Sequence, residues 1–354
     1  MLYSTYIIDK SYQENYDQGP FTDFLIPKKI QLKPIKLWNF TINSPIGVAA
    51  GPLLNSKYID LYAKLGFDIL VYKTLRTVQY LPHPMPNCLM VDSSKQLRQK
   101  DIGEVIYPCN TKPNKISDIA ITNSFGIPSK RIDLWQEDIE KANRGLDTNQ
   151  LMIVSCVGTP LESRSLIDDF VLCAEKAVEA GSKAIELNFS CPNVFSKEGS
   201  IYQDPFLSST ISKKVKSAIK DTPLIIKIGY MSSHEVTKKV IKANAPFIDG
   251  IAGINTISMQ VRNKNDNSQA LSGKNRLNSG ICGHIIKDLA LEMTKRIVQI
   301  RRQQGFDFVI FGTGGVICSS DINDYLNSGS DIVMSATGSI WNPFLAYDWK
   351  KLQL

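Results

Sequence analysis

The sequence predicts an α/β protein, a (β/α)8 TIM barrel with an irregular N-terminal extension. Short β-branched runs alternate with longer amphipathic stretches from about residue 44 onward. Eight such runs within 354 residues suit one closed barrel. The rival open, doubly wound sheet would need a Gly-x-Gly-x-x-Gly turn after an early strand, and the chain has none. The expected organisation is an extension over residues 1–43 followed by a barrel over residues 44–354.

The first predicted strand is Ile46 to Ala50, followed by a helix from Lys57 to Leu65 with Ile59, Leu61, Tyr62 and Leu65 on one side. The second runs from Asp68 to Tyr72. After a long interruption come Leu151 to Ser155, Ala184 to Asn188, Leu224 to Ile228, Gly250 to Ile254, Phe308 to Phe311 and Asp331 to Met334. Helical spacing separates most of them, over Leu166 to Ala180, Ser209 to Lys220, Ser233 to Ala243 and Ile285 to Gln303. Residues 1–43, rich in Tyr, Asp, Asn and Pro, read as irregular. Residues 75–135 show no long periodic run, and residues 257–280 are polar. The last two segments each follow a strand, where a barrel builds its functional face.

The net charge is +7, from 41 basic and 34 acidic residues, and the basic residues are not clustered as in a nucleic-acid binder. Seven cysteines without a Cys-x-x-Cys pair predict neither a disulfide framework nor a metal site, and point to a reducing, cytoplasmic setting. The first residues lack the basic and apolar regions of a signal peptide. No run approaches the roughly 18 apolar residues of a membrane span. A soluble protein acting on a small molecule is expected.

The most informative string is Glu186-Leu187-Asn188-Phe189-Ser190-Cys191-Pro192-Asn193. It begins as a strand and breaks at Pro192, so Asn188 falls at the strand's C-terminal end. Two amides around one thiol can hold a ring of alternating C=O and N–H groups while a base removes a proton. The other six cysteines read as small buried hydrophobes. Lys227 sits in an otherwise apolar run, Ile225 to Gly229, so its charge needs a partner.

At this string the sequence resembles the dihydroorotate dehydrogenases, specifically the soluble type whose base is cysteine. The resemblance runs from Ser44 to about Asp348, with motifs in the family's order. It implies FMN as cofactor and oxidation of dihydroorotate to orotate in pyrimidine biosynthesis. Cys191 would be the base, with Lys73 beside it as the second catalytic residue. The resemblance further implies substrate contacts from Lys73, Asn123, Asn188, Asn193, Asn255 and Thr256. Cofactor contacts would come from Ala49, Ala50 and Gly51 on the first strand, Lys73 and Thr74 on the second, and Asn188, Lys227, Thr256 and Gly283. Gly314 and Gly315 after the seventh strand, with Ala336 and Thr337 after the eighth, would hold the phosphate. Ser279 to Gly283 departs from the family's Gly-rich pattern, with Ser and Cys in place of Gly.

Two relatives of the same chemistry remain as alternatives. A dihydropyrimidine dehydrogenase-like reductase would carry its base cysteine further along, where Ser200 to Pro205 has none. A tRNA dihydrouridine synthase would carry a basic domain after the eighth strand. Fumarate is the expected electron acceptor, an NAD-linked form requiring a second subunit, and a homodimer is expected from the family.

Overall fold

The computed structural model describes residues 2–110, 113–190, 197–274 and 276–354, with residues 197–199 described for their backbone alone. Cys191 and Asn193 lie outside the described residues. Eight parallel strands close into a barrel. They are β1 (Ile46–Val48), β2 (Ile69–Leu75), β3 (Leu151–Cys156), β4 (Ala184–Asn188), β5 (Leu224–Ile228), β6 (Gly250–Gly253), β7 (Val309–Thr313) and β8 (Ile332–Ser335). Strands adjacent in sequence are adjacent in space, and β8 returns to β1 through Val333 opposite Ile46. All eight coincide with predicted runs.

The helices around the barrel are α1 (Ser56–Lys64), α2 (Ile132–Arg144), α3 (Leu166–Glu179), α4 (Pro205–Ile219), α5 (His234–Asn244), α6 (Lys287–Gln304), α7 (Ser319–Asn327) and α8 (Leu345–Lys351). Their starts are written locally. Ser165 caps α3 through Asp168 N, Ser233 caps α5 through Val236 N, and Asp204 caps α4 ahead of Pro205. Sequence periodicity missed α2, because Trp135, Ile139 and Ala142 are its only buried residues in 13.

Residues 75–135 and 257–280 depart from the loops expected of them. They supply five short strands that pair into a second sheet, in the order Cys88–Met90, Ala120–Asn123, Asn278–Gly283, Ile257–Val261, Val105–Ile106. Cys88 and Gly280 both lie opposite Asn123, and Cys282 opposite Ile121, so these residues share one face. The extension also carries structure: a helix at Tyr12–Gln18 and a two-stranded ribbon, Ile35–Leu37 with Phe40–Ile42. Leu37 and Ile42 of that ribbon join the apolar cluster filling the barrel interior, with Ile69, Val71, Ile153, Ala184, Ile225 and Phe311.

Within that interior the strands change character along their length. Residues two apart face the same side. Val71 is followed by Lys73, Ile153 by Ser155, Ala184 by Glu186 and Asn188, Ile225 by Lys227, and Phe311 by Thr313. The barrel is therefore apolar at the N-terminal ends of its strands and polar at their C-terminal ends.

Below the barrel, Lys350 of α8 reaches Asp68 at 2.6 Å, both side chains almost fully buried, and Ser44 Oγ donates to the same carboxylate at 2.5 Å. Burial pushes the Asp68 carboxyl up, against the opposing pull of Lys350. Lys350→Met strands that carboxylate and is expected to cost about 3–5 kcal/mol in urea unfolding. Asp68→Asn combined with Lys350→Met should recover most of the loss.

Candidate active site

A cavity of about 1340 Å³, counting open space at its mouth, lies where the polar strand ends meet the second sheet. Ala50, Gly51, Lys73, Thr74, Asn123, Asn188, Lys227, Asn255, Thr256, Gly283, Gly314, Gly315, Ala336 and Thr337 all line it. Ala49, expected among them, packs instead in the interior cluster with Ile69 and Met334. It precedes the point where the chain leaves the barrel wall. Ser190 is buried and is not among the lining residues; its Oγ donates to Lys227 O at 3.5 Å.

Three of the expected asparagines meet here. Asn188 Nδ2 donates to Thr74 Oγ1 at 3.2 Å, and Asn188 Oδ1 accepts from Asn255 Nδ2 at 3.1 Å. Asn255 Nδ2 also donates to Ser190 O at 2.6 Å, while its Oδ1 accepts from Thr256 N at 2.9 Å. The amides thus orient one another before any ligand arrives. Asn123 enters from the second sheet, and its Nδ2 donates to Cys282 Sγ at 3.3 Å. The Thr256 hydroxyl is buried with no partner among the described residues, a polar atom on the wall that a ligand would have to satisfy.

The wall is electrically one-sided. Among the described residues no Asp or Glu lines the cavity, yet Lys73 and Lys227 do, and both are buried. Neither has a carboxylate within ion-pair distance among the described residues. Lys73 Nζ donates to Thr74 O at 2.8 Å and to Pro128 O, and lies 5.9 Å from the Tyr12 ring centroid. Burial, with the charge of Arg76 behind it, pulls the Lys73 ammonium down to about 7.

Two loops present backbone donors. In residues 124–128 every carbonyl is taken: Ser124 O by His83 and Arg276, Phe125 O by His83 N, Gly126 O and Ile127 O by Arg76, and Pro128 O by Lys73. The N–H groups of Phe125, Gly126 and Ile127 have no acceptor among the described residues. Gly126 (φ 81°) and Ile127 (φ 55°) are consecutive residues of positive φ, and both line the cavity. After β7 the pattern repeats. Thr313 O, Gly314 O, Gly315 O and Val316 O are held by Ile254 N, Tyr325 Oη, His284 Nδ1 and Ser335 Oγ. The N–H groups of Gly314, Gly315 and Val316 are open among the described residues. Gly314 (φ 128°) and Gly315 (φ 68°) adopt backbones that disfavour side chains, and a Cβ on Gly315 would fall 2.7 Å from Lys287 Cα. The short helix Thr337–Trp341 begins beside them on the same cavity wall.

Sequence reasoning found Asn123 but not the Phe125 to Ile127 donors beyond it, nor Tyr6, Ile8 and Tyr12 of the extension, which also line the cavity. The signal for the first was Gly126 just ahead of Pro128. For the second there was none. Cys282, read as a core thiol, is half-buried in the wall, where burial raises it to about 11 and the hydroxyl of Thr337 and amide of Asn123 oppose that rise. No cluster of metal-binding side chains occurs among the described residues.

Fold and cavity together define a barrel enzyme whose active site sits at the C-terminal ends of its strands and is built for an anionic ligand. A family model described as dihydroorotate dehydrogenase matches residues 100–349. A protein of Dictyostelium discoideum named dihydroorotate dehydrogenase is 38% identical over 97% of this chain and 96% of its own. The catalytic subunit of dihydroorotate dehydrogenase B (NAD(+)) from Staphylococcus carnosus is 29% identical over 65% of this chain and 69% of its own. Among solved structures, the Eimeria tenella dihydroorotate dehydrogenase in complex with ferulenol superposes with a TM-score of 0.70 at 17% identity, covering 91% of this chain and 83% of that one. The chain belongs to the dihydroorotate dehydrogenase family, and is an oxidoreductase with that family's (β/α)8 barrel.

Because the Lys73 ammonium titrates at about 7, it is progressively neutral above that pH in the free protein. An anionic ligand needs the charged form, so orotate affinity should fall as pH rises through about 7, approaching tenfold per unit above it. Titrations from about pH 6 to about pH 9 should show that slope in wild type and lose it in Lys73→Met.

Proposed function

We propose that the chain oxidises dihydroorotate to orotate in pyrimidine biosynthesis, with FMN as cofactor and Cys191 as the base. The observation that carries this reading is the conjunction on one wall of interlocked amides, buried cations without carboxylates, and a loop of open N–H groups. The amides suit a ring of alternating carbonyl and N–H edges. The cations and open N–H groups suit a carboxylate on that ring. Dihydrouracil has no such group, so the dihydropyrimidine alternative leaves half of the wall without a purpose.

The residues present fit FMN. Among the described residues no atom lies within 4 Å of where a Cβ on Gly51 (φ 134°) would stand, which leaves room there for a flat ring. The unpartnered Thr256 hydroxyl and the Lys227 ammonium offer a hydrogen bond and a charge to the ring's polar edge. The open N–H groups of Gly314 and Gly315, with Ala336 and Thr337 at the start of the short helix, would hold the phosphate. Gly283 and Asn188 complete its surroundings. When bound, FMN accepts the hydride from C6 of the substrate.

The chain's own residues do the rest. Lys73 and the Phe125 to Ile127 amides take the carboxylate, and Asn123, Asn188, Asn193, Asn255 and Thr256 the ring edges. The Cys191 thiolate takes the C5 proton. A thiol of pKa about 8.5 serves as a base near neutral pH. Residues 44–354 form the FMN-binding barrel in this reading, and residues 1–43 an extension. Fumarate is the proposed acceptor, since a small dicarboxylate suits the same cations. A cytoplasmic homodimer without nucleic-acid or membrane partners is the proposed working form; among the described residues no helix is long and apolar enough to cross a membrane.

Anaerobic mixing with dihydroorotate should bleach the visible flavin band of the purified protein. Cys191→Ala should keep FMN and slow bleaching by at least about 100-fold. Bleaching by dihydrouracil alone would move the assignment to the dihydropyrimidine class. A protein that takes up no FMN would refute the reading outright.

A further inference from the structure

Arg76 and Arg276 are almost completely buried, yet neither guanidinium has a carboxylate within ion-pair distance among the described residues. Buried arginines ordinarily have one, because an uncompensated charge in the interior is costly. Arg76 arrives from the end of β2. Its Nε donates to Ile127 O at 3.2 Å, its Nη2 to Gly126 O at 3.4 Å and its Nη1 to Thr159 Oγ1 at 2.7 Å. The nearest acid in that network, Asp169, is already engaged by Arg164 at 2.7 Å, by Thr77 Oγ1 and by Thr159 N. Arg276 arrives from the segment after β6. Its Nε donates to Ser124 Oγ at 3.2 Å, its Nη1 to Pro84 O at 3.1 Å and to Ser272 O, and its Nη2 to Ser124 O.

Neutral donors would hold these carbonyls as well and at less cost. What guanidinium adds is charge on the outer side of a loop whose inner side offers open N–H groups. Capture of Ser124 O and Gly126 O aligns those two peptide dipoles, leaving the Phe125 and Ile127 N–H groups as their positive ends, and the two charges deepen that potential through a medium of low dielectric. We propose that Arg76 and Arg276 are positioning residues that shape and charge the Phe125 to Ile127 loop so that it selects substrates bearing a carboxylate. The proposal rests on the functional reading above and adds to it a source of specificity that touches no substrate. Of the two, Arg276 ties the insertion after β6 to the insertion after β2, so the loop is set only when both insertions are in place.

The test compares orotate with its uncharged methyl ester as ligands of the FMN-loaded protein, followed by perturbation of the flavin spectrum, alongside steady-state kinetics with dihydroorotate. Arg276→Gln should weaken orotate about tenfold or more while the ester changes less than about twofold. KM for dihydroorotate should rise in parallel with kcat nearly constant. Arg276→Lys keeps the charge and loses the fork, and should restore most of the orotate-to-ester ratio. Equal weakening of both ligands in Arg276→Gln would make the residue purely structural and overturn the proposal. If Arg276→Gln does not fold, the lysine variant decides: a collapsed ratio there overturns it, and a retained ratio supports it. Wild-type protein that binds no orotate would overturn the functional reading itself, whereas wild-type binding with an unchanged ratio in Arg276→Gln overturns this proposal alone.

Discussion

Burying a positive charge without a counter-ion is among the more expensive arrangements a protein can adopt. This one buries Lys73 and Lys227 in a cavity wall and Arg76 and Arg276 behind it, with no carboxylate within ion-pair distance of any of them among the described residues. Much of the local structure follows from that constraint. The cations need acceptors, and the acceptors at hand are main-chain carbonyls. Lys73 takes those of Thr74 and Pro128, Arg76 those of Gly126 and Ile127, and Arg276 those of Pro84, Ser124 and Ser272. Carbonyls held on one side of a loop leave its amides on the other. A ligand carrying negative charge then balances charge and amides together, so affinity and selectivity arise from the same arrangement.

The barrel makes this tolerable. Its strands are apolar where they pack in the interior with the ribbon of the extension, and turn polar only in their last residues. The hydrophobic interior therefore carries the stability while the strand ends are free to hold costly groups. The interlocked amides of Asn188 and Asn255 extend the same logic. Each satisfies the other and neighbouring backbone groups, so their rotamers are fixed before the substrate arrives.

How much of this was legible in the sequence depended on whether the signal was local. The eight strands were readable because each is a short, mostly apolar run in a regular alternation with helical stretches. Helix α2 was not, having three buried residues amid charged ones. The second sheet was invisible because its strands are two to six residues long and the central pair joins Ala120–Asn123 to Asn278–Gly283. At the site, side chains with distinctive chemistry such as Lys73, Asn188, Lys227 and Asn255 could be named in advance. Ala49 could not be told from Ala50, since only the geometry of the strand's exit separates them. The Phe125 to Ile127 donors are main-chain atoms that every residue owns. Their role comes from two consecutive positive φ angles and from cations reaching in from elsewhere, of which only the positive φ at Gly126 leaves a mark in the sequence.

The extension has a consequence for how the molecule comes into being. Tyr6, Ile8 and Tyr12 form part of the cavity wall, Thr5 N donates to Ile340 O, and the Tyr62 hydroxyl bridges Thr5 Oγ1 and Ser339 O. Residues of the extension thus dock on the short helix that follows β8, far away in the sequence. Contacts of such long sequence separation form late. Barrel strands can pair before this contact forms, but the cavity stays unwalled until the extension and the segment after β8 have met. Closure of the cavity is therefore among the last events of folding, and a chain whose barrel has formed but whose extension is undocked presents an incomplete wall.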